Sequence, residues 1–341
     1  AFSGDPAINR HLHVTDLGNG TGQRRLTPLG RNHTFLSVSP DARWFIATSE
    51  TVDTPPVTIL YTTYGSPRLT LAEATARSAD EFAIPPAELL RLRAADETTE
   101  LYGILYKPSD FDPDRTYPLV VYVYGGPYIR IVRNRYRAAN AETELGYLIA
   151  VVDNRGTVDR GKAFESATYL QLGVVDVDDQ AAAVAQLAAR PYVDASRVGI
   201  YGGSYGGYMT IMAMLRYPEQ FHVGVATAAV TDWRHYDTIY TERYMRTPAE
   251  NEAGYDAGSA LTYADQLQGR LLMIHGMMDD NVHPSNIFEL ADAFHRADVP
   301  FDMMIYPRAT HGVGRRSADL RRLYLYNHLV AAPRAAASRP W

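Results

Sequence analysis

Two kinds of hydrophobic patterning divide the chain. Over residues 1 to about 75 the apolar positions fall in short runs broken by turn residues: His11-Leu-His-Val-Thr15, Gln23-Arg-Arg-Leu-Thr27, Arg43-Trp-Phe-Ile-Ala-Thr48 and Pro56-Val-Thr-Ile-Leu-Tyr-Thr62. Gly18-Asn-Gly20, Ser39-Pro-Asp41 and Thr54-Pro-Pro56 separate them, which predicts an all-β segment. From about Pro85 the runs become continuous. Leu89-Leu-Arg-Leu-Arg93, Leu101-Tyr-Gly-Ile-Leu-Tyr106, Leu119-Val-Val-Tyr-Val-Tyr124, Tyr147-Leu-Ile-Ala-Val-Val152, Val198-Gly-Ile-Tyr201, Val223-Gly-Val-Ala226, Leu271-Leu-Met-Ile274 and Phe301-Asp-Met-Met-Ile-Tyr306 read as strands. Helical spacing over 175–189, 208–215, 285–297 and 318–329 alternates with the later ones. Continuous apolar strands alternating with helices predict an α/β fold with a mostly parallel sheet. The expected division is 1–80 all-β, 81–330 α/β and a low-complexity tail, 331–341.

Composition narrows the classes. At 341 residues, one large domain plus a smaller unit is expected. The hydrophobic share of 46% and charged share of 21% are those of a soluble globular protein. A net charge of −6 without a basic run argues against nucleic acid as a partner. No apolar run approaches the length of a membrane-spanning helix. The start, Ala1-Phe-Ser-Gly-Asp5, lacks a basic segment followed by an apolar one, so it reads as a processed or truncated start rather than a signal peptide. With no cysteine, disulfides, Cys–metal sites and thiol chemistry are excluded for this chain.

The chemistry is concentrated where strands end, since in open α/β sheets sites form at the carboxyl ends of the strands. After strand 198–201, Gly202-Gly-Ser204-Tyr-Gly206 fits G-x-S-x-G and leads into a helix, which is the context a nucleophile elbow requires. Side chains two before and two after the serine would collide in so tight a turn, and glycine removes them. Two later loops supply His275-Gly-Met-Met-Asp279-Asp280-Asn281-Val282 and Pro307-Arg-Ala-Thr-His311-Gly312. The order Ser, Asp, His is that of α/β-hydrolases. A serine hydroxyl needs an imidazole to take its proton, and the imidazole needs a carboxylate to fix its tautomer. His311 is the candidate base; spacing alone leaves Asp279 and Asp280 open. His275 reads as a structural residue at a strand end, and His283 as a surface residue or one behind the site.

The loop Tyr124-Gly125-Gly126-Pro127 is the fourth element. Acyl transfer needs two donors at the developing oxyanion, worth about 3–4 kcal/mol each. One is expected to be the Tyr205 N–H; the other is the Tyr124 hydroxyl or an N–H of Gly125-Gly126.

Together, Tyr122-Val-Tyr-Gly-Gly-Pro127, Asp153-Asn-Arg-Gly156, Leu172-Gly173 with Asp178-Asp-Gln180, Gly202-Gly-Ser-Tyr-Gly-Gly-Tyr208, Trp233 with Tyr236 and Tyr240-Thr-Glu-Arg-Tyr-Met245, His275 to His283 and Thr310-His-Gly312 are distinctive. Over about 85–330 the chain resembles the catalytic region of the prolyl oligopeptidase family of serine peptidases, in particular its dipeptidyl peptidase IV branch. The resemblance implies an α/β-hydrolase fold with Ser204 as nucleophile, Asp279 as the orienting carboxylate and His311 as base. It makes the Tyr124 hydroxyl the oxyanion donor beside the Tyr205 N–H. Tyr205, Val230, Trp233, Tyr236, Tyr240 and Val282 would wall a proline-sized pocket. Asn281, with Arg243, would hold the preceding carbonyl of the substrate. No metal or organic cofactor is implied; the partner is a small peptide or ester.

Two departures shape the functional expectation. Val38-Ser-Pro-Asp-Ala-Arg-Trp-Phe45 resembles the turn-and-strand unit of a β-propeller blade, yet only about the last blade and part of another are expected, where relatives carry a full propeller. So short an array must lean on the next domain, on another chain or on residues beyond this sequence. Its open strand edges favour self-association. The sequence also contains no Glu-Glu dipeptide, the feature that binds a substrate's free amino group in the dipeptidyl peptidase branch. The chain is therefore expected to be either a piece of a longer post-proline peptidase or a shortened hydrolase acting mainly on small esters.

Overall fold

The computed structural model describes residues 7–331 apart from 19, 77–80, 82–83 and 138. Fourteen strands are described: β1 His13–Val14, β2 Arg24–Arg25, β3 Asn32–Val38, β4 Trp44–Glu50, β5 Val57–Thr62, β6 Pro67–Glu73, β7 Glu88–Arg93, β8 Glu100–Tyr106, β9 Tyr117–Tyr122, β10 Leu148–Asp153, β11 Val193–Gly203, β12 Val223–Thr227, β13 Arg270–Gly276 and β14 Asp302–Tyr306. Eight of them form one sheet in the order β14-β13-β12-β11-β9-β10-β8-β7. β9 to β14 run parallel to one another, while β8 pairs antiparallel with both β10 and β7 at one edge. This is the α/β-hydrolase fold read from the sequence.

Helices cover both faces, so β9, β10 and β12 are buried along almost their whole length. Alternation within a strand sends side chains to opposite layers. In β13, Leu271 and Met273 join the layer beneath the helices Val175–Ala188, Tyr205–Arg216 and Ser285–Arg296, while Leu272 and Ile274 face Leu325 and Leu329 of the C-terminal helix Arg315–Leu329. Each fully buried Leu, Ile or Met contributes about 1.5–3 kcal/mol relative to exposure. The parallel strands all point the same way, so β9, β11, β13 and β14 deliver their following loops to one edge of the sheet.

The N-terminal strands β3 to β6 form a separate four-stranded antiparallel meander, in keeping with part of a propeller. Its buried centre is small: Phe45, Ala47 and Tyr61, with Leu12, Leu26 and Ile59 against them. Phe45 and Tyr61 face one another across β4 and β5, their rings stacked at 5.0 Å. β3 and β6 are not among the runs that the sequence predicts as strands. β3 carries a register shift between Phe35 and Ser37, and β6 begins at Pro67 and is exposed along its whole length, so neither shows one clean buried face. The tail expected over 331–341 lies, from residue 332 on, outside the described residues.

Candidate active site

Ser204 follows β11 with φ 57° and ψ −121°, a region that costs a non-glycine residue about 1–3 kcal/mol. Its flanking glycines are obligatory. A Cβ on Gly202 would lie 2.4 Å from the Gly206 carbonyl oxygen, and one on Gly206 would lie 2.2 Å from that of Val123. The collision anticipated within the turn is therefore real, and the neighbouring strand β9 adds a second obstacle. The Ser204 N–H donates to the Thr227 carbonyl at 2.8 Å, which anchors the turn to β12. The helix Tyr205–Arg216 starts at the next residue, so the Tyr205 N–H belongs to a first turn whose amides have no intrahelical acceptor.

Strand β13 ends at His275-Gly276. Gly276 admits no side chain, because a Cβ would meet the Ala309 carbonyl oxygen at 2.3 Å. The Met277 and Met278 N–H groups donate to the Tyr306 and Ala309 carbonyls, tying the loop after β13 to the loop after β14. That splice brings Asp279 to His311. His311 Nδ1 lies 2.9 Å from Asp279 Oδ2. Asp279 Oδ1 accepts the N–H groups of Asn281 and Val282, both at 3.0 Å. The Asp279 side chain is fully buried, whereas that of His311 is 29% exposed. Of the two carboxylates that spacing left open, Asp279 faces His311 and Asp280 is exposed. Among the described residues no hydrogen bond joins His311 to Ser204. Such contacts are often loose without substrate.

Tyr124 is half-buried on the turn after β9, where Gly125 takes φ 76°. Burial pushes its phenol above the ordinary tyrosine value, while the Ser204 hydroxyl beside it pulls the other way. The proton therefore stays on the phenol near neutral pH. The Tyr124 and Tyr205 rings lie 6.2 Å apart, and a side chain on Gly126 would strike the Tyr205 ring at 2.7 Å.

Beside Ser204 an aromatic wall continues from Tyr205. Its ring lies 5.4 Å from that of Trp233, which stacks on Tyr240 at 6.0 Å and meets Tyr236 edge-on at 5.9 Å. Val230, Trp233 and Val282 are buried. The Tyr236 hydroxyl donates to Asn281 Oδ1 at 2.8 Å, fixing that amide at the rim. Arg243 is exposed, next to the Tyr244 phenol.

Asp176, beside this group, is not among the residues the sequence singles out. The Tyr205 hydroxyl donates to Asp176 Oδ2 at 2.5 Å, and both residues are buried. Burial pushes the Asp176 carboxyl up to about 6 against the pull of that hydrogen bond. A signal existed: Asp176, Gln180, Ala183 and Leu187 share the buried side of one helix, and an acid at an inward helical position calls for a partner. His275, expected as a structural residue at a strand end, lies 3.2 Å from the same Asp279 oxygen that faces His311.

Fold and loop placement define a protein of α/β-hydrolase class. Comparison then gives the family. The model of the Prolyl oligopeptidase family matches residues 135–330, and the chain belongs to that family. It is 36% identical to human dipeptidyl peptidase 8 over 342 residues, covering 95% of this chain and 38% of that protein. It is 38% identical to dipeptidyl-aminopeptidase B of Aspergillus niger over 250 residues, covering 71% of this chain and 27% of that protein. Among solved structures, Porphyromonas gingivalis dipeptidyl peptidase 4 superposes with a TM-score of 0.80 at 37% identity, covering 94% of this chain and 46% of that one. The chain thus spans less than half the length of each of these relatives.

Proposed function

We propose that the chain is the catalytic part of a serine peptidase that cleaves small peptides after proline through an acyl-enzyme. The observation that carries this is the hydrogen bond from His311 Nδ1 to the buried Asp279 carboxylate, at the sheet edge where Ser204 stands on its elbow. A carboxylate can only accept, so Nδ1 keeps its proton and Nε2 is left as the base. In this reading Nε2 takes the Ser204 proton as the hydroxyl attacks the substrate carbonyl. The Tyr124 hydroxyl and the Tyr205 N–H hold the oxyanion. His311 then protonates the leaving amine, and water repeats the attack on the acyl-enzyme.

The pocket supports the proline preference. A pyrrolidine ring is rigid, apolar and small, and Tyr205, Trp233, Tyr236, Tyr240, Val230 and Val282 offer apolar faces for it. Asn281, held by Tyr236, presents its amide N–H to the preceding substrate carbonyl. The names of the relatives favour removal of dipeptides from a free N-terminus. An ester is attacked by the same groups and has the better leaving group.

The test compares three substrates on one preparation: a Gly-Pro or Ala-Pro anilide, its N-blocked form, and short p-nitrophenyl esters. Turnover of the free-amine anilide supports the dipeptidyl peptidase reading. Cleavage of both anilides means a post-proline peptidase without amino-group recognition. Ester cleavage with both anilides inert overturns the peptidase assignment in favour of an esterase.

A further inference from the structure

A second imidazole lies against the Asp279 carboxylate. His275 is the penultimate residue of β13 and is completely buried. Its Nε2 lies 2.9 Å from the Val282 carbonyl oxygen and 3.2 Å from Asp279 Oδ2. Both neighbours are acceptors, so Nε2 carries the proton. Burial pushes the imidazole down from its ordinary value, so at neutral pH it holds that one proton and no charge. Nδ1 is then a bare acceptor, and it has no partner among the described residues. An unpaired buried acceptor is unfavourable, and an apolar side chain of similar size would avoid it. The acceptors that an N–H at this position answers are the Val282 carbonyl and, beside it, the Asp279 carboxylate. The titratable groups that bear on His275 are Asp279 and, beyond it, His311.

We infer that His275 is a positioning residue whose Nε2–H fixes the Asp279 carboxylate and the Val282 carbonyl together. Oδ2 thereby stays aimed at His311, and the Val282 side chain stays at the pocket. The inference rests on reading Ser204, Asp279 and His311 as a triad. Asp279 Oδ2 then lies 2.9 Å from His311 Nδ1 and 3.2 Å from His275 Nε2, while Oδ1 accepts two backbone N–H groups. Sharing Oδ2 also sets how much of the carboxylate's charge is left to stabilise the His311 imidazolium. Removing the His275 donor leaves the carboxylate with one neighbour fewer to share its charge with, which the acid limb of the pH–rate profile reads.

The test uses the full chain with His275→Leu and His275→Gln. The glutamine Nε2 is the same number of bonds from Cβ as the histidine Nε2, so it retains the donor that leucine lacks. For His275→Leu the expected result is a kcat lowered about 10- to 100-fold by loss of alignment, with a much smaller change in KM. The acid limb of the pH–rate profile moves to higher pH. His275→Gln recovers most of the rate and returns the limb. If His275→Leu does not fold, His275→Asn takes its place, because its amide nitrogen stands where Nδ1 was and cannot reach Oδ2. The inference is overturned if the donor-lacking variant keeps kcat and the acid limb of the wild type, or if glutamine is no better than leucine or asparagine. An NMR titration of the His311 ring across these variants reads the same effect without turnover. An inactive wild type would therefore sink the triad while leaving His275 to be judged by whether that titration moves.

Discussion

The two sheets of this protein solve the same problem with unequal means. The eight-stranded sheet has helices on both faces, and its inner strands are buried on each. The four-stranded sheet has three buried apolar residues and leaves Phe35, Leu36, Val38, Leu69 and Leu71 between 46% and 57% exposed. The difference teaches where precision is held. A strained serine and a buried carboxylate persist only when the surroundings over-determine them, and only the larger sheet supplies such surroundings. The smaller sheet is nonetheless tied to the site. Glu50 pairs with Arg135 at 3.2 Å and accepts the Tyr136 N–H, and Asn134 accepts the Val52 N–H at 2.9 Å. Residues 134–136 continue the same loop that begins with Tyr124.

The contrast can be broken at four points. The largest effect is expected from Gly206→Ala. Its methyl would sit 2.2 Å from the Val123 carbonyl oxygen, and backbone on both sides would have to move. Loss of turnover and destabilisation of about 3 kcal/mol or more are expected, read by activity and chemical denaturation. Next is Tyr124→Phe, which removes one hydroxyl from a half-buried ring. A kcat lowered about 10²- to 10³-fold with little change in Tm is expected, since the loss falls on the transition state. Equal losses of kcat and Tm would instead make the hydroxyl a structural group.

The third point is Asp153, at the end of β10. Its carboxylate accepts the N–H groups of Ile131 and Val132, in the loop that Tyr124 opens. Burial pushes it up to about 7. A folded value above the unfolded one means that the native state holds the proton longer. This group's contribution to stability is therefore fully present below about pH 4 and lost as pH rises through 7. The slope cannot exceed about 1.4 kcal/mol per pH unit for one proton. Denaturation at pH 5 and pH 8 should show wild type losing stability relative to Asp153→Asn across that interval. Parallel behaviour of the two proteins would contradict the assignment. The smallest effect belongs to the open sheet. Leu71→Ser on fully exposed β6 should change stability by no more than about 0.5 kcal/mol and leave kcat unchanged. A larger loss would mean that this face is covered by something in solution.

What was legible in the sequence was what is local. The strands of the larger sheet are apolar runs because both faces are buried, so β9, β10, β12 and β13 were readable within two residues. The elbow was readable because its glycines and serine act within one turn. β11 was read from Val198, although it starts at Val193; its register shifts between those residues, which interrupts the pattern. The contacts that bind the site together were not legible. Tyr205 and Asp176 are 29 residues apart, and their meeting depends on two helices packing. His275 and Asp279 are only four apart, yet the loop between them brings Nε2 to Oδ2 only because it is spliced to the loop after β14. The role of Arg243 beside Asn281 is an expectation from resemblance alone, with no local pattern behind it; both residues lie exposed.

The most direct measurement is labelling with a fluorophosphonate, followed by mass spectrometry of the digested protein. A serine activated by His311 attacks the reagent, while the other serines of the chain do not. The prediction is a single adduct on Ser204, lost in His311→Ala and slowed in Tyr124→Phe. An unlabelled chain, or an adduct on another residue, would contradict the account.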